Sequence, residues 1–304
     1  MNLSLKNLKS WHRWAAYGVF ALFAFLLALR ETFPAEAVKE RFIMEAAAQG
    51  WQVSVVDIRP AGLFGVEMTG VLLESRDGLR LPIDRLGASL RLWPLLLGRQ
   101  GVAFDARLFE GRIKGVAEEG KTRHRLAASI SGVELSRAVP LRQATGLNLN
   151  GNLSGDIDLL LDDRNAANSE GHLDLSVASA ALNAGPVPVP GMGALTLPRV
   201  ELGEVVAKAS VRDGKLTFDR LDANSQDLEA SGEGLYCILQ PRMAFARIFG
   251  KAHLRIHDAL WAKRGATGYK GIVEMALAQA RSQDGAYGFQ IFGTLSQPQA
   301  RMAP

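Results

Sequence analysis

From Trp51 onward the chain is written in runs of alternating apolar and polar residues, each of strand length and broken by closely spaced glycines. Successive side chains of a β-strand point to opposite faces, so these runs predict many strands that share one apolar face. The run over 151–161 is the clearest. Leu153, Ile157, Leu159 and Leu161 fall on one side of it, and Asn152, Ser154, Asp156 and Asp158 on the other. The same texture predicts strands over 52–58, 66–73, 83–93, 102–108, 111–116, 123–130, 171–177, 200–211, 214–221, 227–239 and 288–295. A Gly-x-Leu motif returns at 151, 171, 193, 214 and 293 as a loose repeat, in keeping with stacked hairpins of an elongated antiparallel sheet. Helical signals are few: 34–48, which ends at Gly50, a short interruption over 136–145, and 270–281. The segment 186–198 reads as a Pro-rich loop, and the residues after Leu295 as a Pro-bearing tail.

The longest alternating run spans 242–257. Ala244, Ala246, Ile248, Ala252, Leu254 and Ile256 take one face, and Phe245, Arg247, Phe249, Lys251, His253, Arg255 and His257 the other. As one strand these sixteen residues would extend roughly 50 Å. Small side chains at three of the six apolar positions leave space, which makes that face a candidate apolar groove, with Arg247, Lys251 and Arg255 at its margin for anionic head groups. An apolar sheet face must be covered by a second sheet, a helix or a bound apolar ligand. Pattern alone leaves a sandwich core and a trough for lipid chains equally open.

Ahead of this region lies one uncharged apolar stretch, Ala15 to Leu29, fenced by Arg13 and Arg30. As a helix it covers about 22 Å, short of the roughly 30 Å hydrocarbon core. Trp14, snorkelling Arg13 and Arg30, and Phe33 as the far anchor close most of the gap. Lys6, Lys9 and Arg13 precede it and no acidic residue does, so a retained single-pass anchor over 14–33 would leave 1–13 in the cytoplasm and 34–304 outside. A cleaved signal peptide is the competing reading, but Arg30 and Glu31 intrude before its best site, Ala35-Glu36-Ala37. The expected location is a bacterial inner membrane, with a β-rich periplasmic domain that has one possible subdivision near 136–150.

The 304 residues, 48% of them hydrophobic, suffice for a substantial core. The net charge of +4 is scattered rather than gathered into basic blocks with aromatics, which speaks against nucleic acid as a partner. Cys237 is the single cysteine and sits among apolar neighbours, so neither an internal disulfide nor a cysteine-based zinc site is expected. His253 and His257 share a strand face but stand ~13 Å apart, too far for one metal. His172 and Asp174 also share a face, without an accompanying nucleophile motif. Asp162-Asp163 is turn composition, and Gly191-Met192-Gly193 precedes no phosphate-binding helix. No catalytic residue, metal site or cofactor is expected, and the chain reads as non-enzymatic.

The order of these features resembles the protein N family of type II secretion systems, and more widely the AsmA-type proteins. The likeness begins at Thr32-Phe33-Pro34-Ala35-Glu36-Ala37 and continues through 53–58, 65–73 and Ile83-Asp84-Arg85-Leu86. It goes on through Gly111-Arg112-Ile113-Lys114-Gly115, 151–161, Leu202-Gly203-Glu204 and Ser225-Gln226-Asp227-Leu228-Glu229 to 292–298. Each station is a turn plus alternation, so the likeness lies in order and spacing, and residues 242–282 depart from it. The resemblance implies a mainly β protein: one transmembrane helix, a short helix, then a curved, elongated antiparallel sheet. It implies an inner-membrane accessory of type II secretion that contacts other components of that machine. The alternative it implies is an AsmA-like lipid-binding or lipid-transfer protein whose partners are acyl chains.

Overall fold

One antiparallel sheet of fifteen strands carries the chain from Trp51 to Met302. The computed structural model describes residues 35–303 apart from 49, 63, 76–77, 92–93, 95–98, 163, 190–192, 241–245, 265 and 295–296. The expected anchor, with Arg13, Trp14, Arg30 and Phe33, lies outside the described residues. Among those described, no helix is long and apolar enough to cross a membrane.

Helix α1 (Ala35–Ala48) leads into β1 (Trp51–Ser54), β2 (Asp57–Ala61) and β3 (Gly65–Ser75). A meander follows through β4 (Arg80–Leu90), β5 (Gln100–Leu108), β6 (Gly111–Glu119) and β7 (Arg123–Glu134). Helix α2 (Val139–Thr145), closed by left-handed Gly146, then precedes β8 (Leu149–Asp162) and β9 (Glu170–Leu182). Strands β7 and β8 pair directly, so the sheet runs unbroken past 136–150. It continues from β9 to β12 (Val200–Arg212), then β13 (Lys215–Asn224), β14 (Leu228–Ile238), β15 (Arg247–Ile256), β16 (Tyr287–Thr294) and β17 (Gln297–Met302). The mainly β, antiparallel architecture expected from the alternation is what the chain adopts, as one open sheet.

Local details differ from the pattern. The expected strand over 52–58 is broken into β1 and β2, both paired with β3. The break lies opposite Gly70, whose φ of +59° bends β3. A Cβ there would fall 2.7 Å from Cγ2 of Val56, so the chain steps outward and leaves Val56 82% exposed. The Pro-rich segment is a separate hairpin, β10 (Gly185–Val189) with β11 (Gly193–Leu197). A two-stranded ribbon has a free edge on each strand, which tolerates Pro186 and Pro188. The tail is edge strand β17, where Pro298 faces Gly293. Of the long run, the described strand is the ten residues of β15, which ends where His257 becomes the N-cap of α3 (Asp258–Trp261). The helix expected over 270–281 is α4 (Lys270–Ala276) plus a 3-10 turn, Ala278–Ala280.

The most tightly packed core sits at the α1 end. Val66, Met68, Val71, Ile83, Ala106 and Leu108 are buried there, with Phe42 of α1 packed against them.

Candidate functional site

Strand register lines the apolar side chains into rows across the sheet. Val66, Ala88, Phe104, Gly115, Ala128, Ile157, Leu173, Ala209 and Phe218 stand opposite one another from β3 to β13. Met68, Leu86, Ala106, Ile113, Ile130, Gly155, Leu175, Ala207 and Leu221 form the next row. On the other side run Leu90, Val102, Ala117, Leu126, Leu159, Gly171, Val211, Leu216, Cys237 and Ile248. A fourth row, Val133, Leu153, Val177, Val205, Ala223, Ala230 and Leu254, starts at β7. No charged residue interrupts these rows.

Burial along the rows is uneven. At the two ends the side chains are buried, Met68 and Ala106 near α1 and Val211, Leu235 and Cys237 near β14. Between them Phe104, Ile113, Ile130, Ile157, Leu159, Leu173 and Leu175 are only half-buried, and Leu126 is 40% exposed. The other sheet among the described residues is the β10–β11 hairpin, so no second large sheet closes over this stretch. The sandwich expectation requires full burial here, and the described residues do not provide it. Glycines within the rows bring the strands close. At Gly155 (φ +149°) a Cβ would lie 2.1 Å from the Asp174 carbonyl oxygen of β9.

The reverse face is polar and charge-balanced over most of its width. Arg125 donates to Asp158 at 3.1 and 2.8 Å, and Lys208 to Asp174 at 2.7 Å. Arg112 binds both oxygens of Asp105, Nε at 2.6 Å. These guanidinium hydrogen bonds hold the Asp105 and Asp158 carboxyls below the ordinary carboxylate range. The Asp162 carboxyl is lowered as well, chiefly by the backbone N–H of Asn165, which confirms its turn role. At the end of this face a cleft of about 580 Å³ gathers Arg99, Lys121, Arg123, Arg125 and His172 with Glu118, Asp158 and Glu170. Asp158 and Asp162 already neutralise Arg125 and Arg123 there.

Of the six predicted groove residues, Ile248, Ala252, Leu254 and Ile256 lie half-buried on one side of β15. Ile248 joins the row of Cys237, Leu254 that of Ala230, and Ala252 faces Gly232 and Phe289. Ala246 precedes the strand and is fully buried, while Ala244 lies outside the described residues. The apolar surface is therefore far wider than the β15 segment singled out by the sequence. Arg255 of the proposed margin is held by Glu229 and Asp284. Cys237 is buried as expected, and burial pushes its thiol pKa up. His253 bonds Glu233 at 3.2 Å, and the described residues contain no cluster of three or more potential metal ligands.

Asp227 is the feature that sequence reading missed. Only 2% exposed, it accepts the Glu201 N–H at 2.6 Å and the Lys263 ammonium, which also donates to the Arg199 carbonyl at 3.1 Å. Ser225 Oγ adds a bond to the Glu201 carbonyl at 2.7 Å. This pin ties the start of β12, the β13–β14 turn and the segment after α3. Comparison with protein-family models, curated proteins and solved structures returns no match to the chain.

Proposed function

We propose that this chain is a non-enzymatic, membrane-tethered protein of the bacterial envelope whose sheet receives lipid acyl chains on its apolar face. The observation that carries this reading is the half-buried stretch from β5 to β9, where in-register rows of Leu, Ile, Phe and Ala stay partly open to solvent and no second large sheet lies over them among the described residues. Partly open apolar rows in register fit a partner that is itself apolar and elongated. Each methylene withdrawn from water against it contributes about 0.8 kcal/mol. The apolar run 14–33 would hold the chain at the inner membrane, with the sheet on the periplasmic side.

A second reading rests on the order of turn and strand stations shared with the protein N family: the chain serves type II secretion as an accessory, contacting other components of that machine. The two readings are compatible, since a lipid-handling sheet can work within a secretion assembly.

A photo-crosslinker at Ile157 or Ile248 should capture acyl-chain species from native membranes, and one at Asp156 far fewer. Crosslinks confined to protein, with no lipid in the purified full chain, would defeat the acyl-chain reading. Loss of exported proteins from the medium on deletion of the gene tests the secretion role separately.

A further inference from the structure

The polar face changes character at its C-terminal edge. Up to β13 its cations stand beside carboxylates, as in Arg112 with Asp105, Arg125 with Asp158 and Arg220 with Asp222. Beyond that, register places Arg212, Lys215, Ile238 and Arg247 in one row. Glu233, Lys251, Gln290 and Arg301 form another. Between the two rows lie Tyr236 and Phe249, with ring centroids 5.5 Å apart, and Phe292 extends the aromatic row onto β16. The Lys215 ammonium rests 3.7 Å from the Tyr236 ring centroid.

Arg212, Arg247, Lys251 and Arg301 are exposed, and none makes an ion pair with a carboxylate among the described residues. The nearby acids are Asp213 in the β12–β13 turn, Asp219, which accepts a hydrogen bond from Ser210 Oγ at 3.3 Å, and Glu233, which is engaged by His253. Five cations thus face three carboxylates around a half-buried aromatic strip. Ile238, 43% exposed, adds apolar surface to it.

We infer that this patch docks on a bilayer surface rich in anionic phospholipid. The cations spread over a sheet face rather than converging on one point, so each can meet a separate head-group phosphate. Six strands, β12 to β17, give the patch a breadth of about 24 Å, enough for several head groups. Tyrosine and phenylalanine beside them match the mixed polar and apolar character of the interfacial zone. An acidic protein would need its charges registered to these positions, whereas a fluid anionic surface adapts to them. The patch lies on the face opposite the apolar rows, so the inference stands or falls independently of acyl-chain binding.

The full chain, reconstituted in phosphatidylcholine vesicles, carries a polarity-sensitive dye at Gln299→Cys. This position is exposed and opposite Phe292, and the native thiol is buried. Phosphatidylglycerol, placed either in the same bilayer or in added vesicles, should blue-shift the dye, and the shift should fade as salt rises towards about 0.5 M. Arg247→Glu with Lys251→Glu should weaken the response by at least about 30-fold, at roughly fivefold per cation removed before repulsion by the added carboxylates. Arg164→Glu, a loop charge far along the chain, should leave it unchanged. A shift equal with neutral lipid, insensitive to the double reversal, or absent in both arrangements would overturn the inference. Absence alongside a shift with an acidic polypeptide would assign the patch to a protein instead.

Discussion

Replacing Lys263 by Met tests whether the buried pin at Asp227 holds the C-terminal part of the sheet in place. The substitution keeps most of the aliphatic stem and removes the ammonium. Asp227, 2% exposed, would then keep one donor to its side chain, the Glu201 N–H at 2.6 Å. Stripping one partner from a buried ion pair costs roughly 3–5 kcal/mol. A third of the Lys263 side chain remains in water, so part of the pair is already solvent-screened and the lower figure applies. The expected loss is about 3 kcal/mol, or roughly a 150-fold fall in the folded-to-unfolded ratio. Adding Asp227→Asn should restore all but about 1 kcal/mol, because the neutral amide oxygen still accepts the Glu201 N–H. Urea unfolding followed by circular dichroism gives the global cost. Amide exchange at His257, whose N–H bonds the Asp227 carbonyl at 2.9 Å, reports the local opening. A single variant within about 1 kcal/mol of the parent would refute the reasoning. A double variant no better than the single one would do the same.

The uneven burial of the apolar rows predicts unequal penalties. Met68→Asp places a charge in the α1-end core and should cost more than about 4 kcal/mol, whereas Leu159→Asp on the half-open stretch should cost about 1–2 kcal/mol and leave the chain folded. Equal penalties in urea titrations would mean that the central rows are closed over. Acid stability follows from Asp105, Asp158 and Asp222, whose carboxyls are all lowered by hydrogen bonds from arginine. A carboxyl with a depressed folded pKa contributes stability above its unfolded value of 3.8 and loses it as pH falls through the folded value. Stability should therefore hold above about pH 3.8, decline as pH falls from there through the folded values and level off below them, and Asp158→Asn should flatten part of the decline while costing no more than about 1 kcal/mol at neutral pH.

Much of the strand layout was legible because one sheet face is wet. Asp156 and Asp158 alternate with Ile157 and Leu159 only because water, and Arg125, stand on their side. The alternation could not say what lies over Ile157, since a sandwich core and an open trough impose the same period of two. Where the pattern failed, a local geometric cause outweighed it: the bend at Gly70 that displaces Val56, or the free ribbon edges that accept Pro186 and Pro188. The Asp227 pin was invisible for a different reason. Its partners Glu201 and Lys263 lie 26 and 36 residues away, and only the turn composition of Ser225-Gln226-Asp227 marks the spot.

The basic patch shows the same limit from the other side. Arg212 and Arg301 are far apart in sequence, and net charge alone gives no sign that they share a face. Sheet register sets them at the two ends of one patch, on the face opposite Cys237 and Ile248. A strand that presents apolar residues to one side must present its remaining residues to the other, so the two surfaces are not independent inventions of the sequence. Tyr236 and Phe249 flank Cys237 and Ile248 along the same strands, and shifting either strand by one residue would exchange the two sets. Aromatic residues on the wet face would then replace small and aliphatic ones in the rows, and the cations Arg247 and Lys251 would point into them. Register is consequently the single variable that keeps both surfaces intact. The close approach of Gly250 to Leu235, where a Cβ would fall 2.6 Å from the Leu235 Cα, admits only glycine at that position and so helps to fix it.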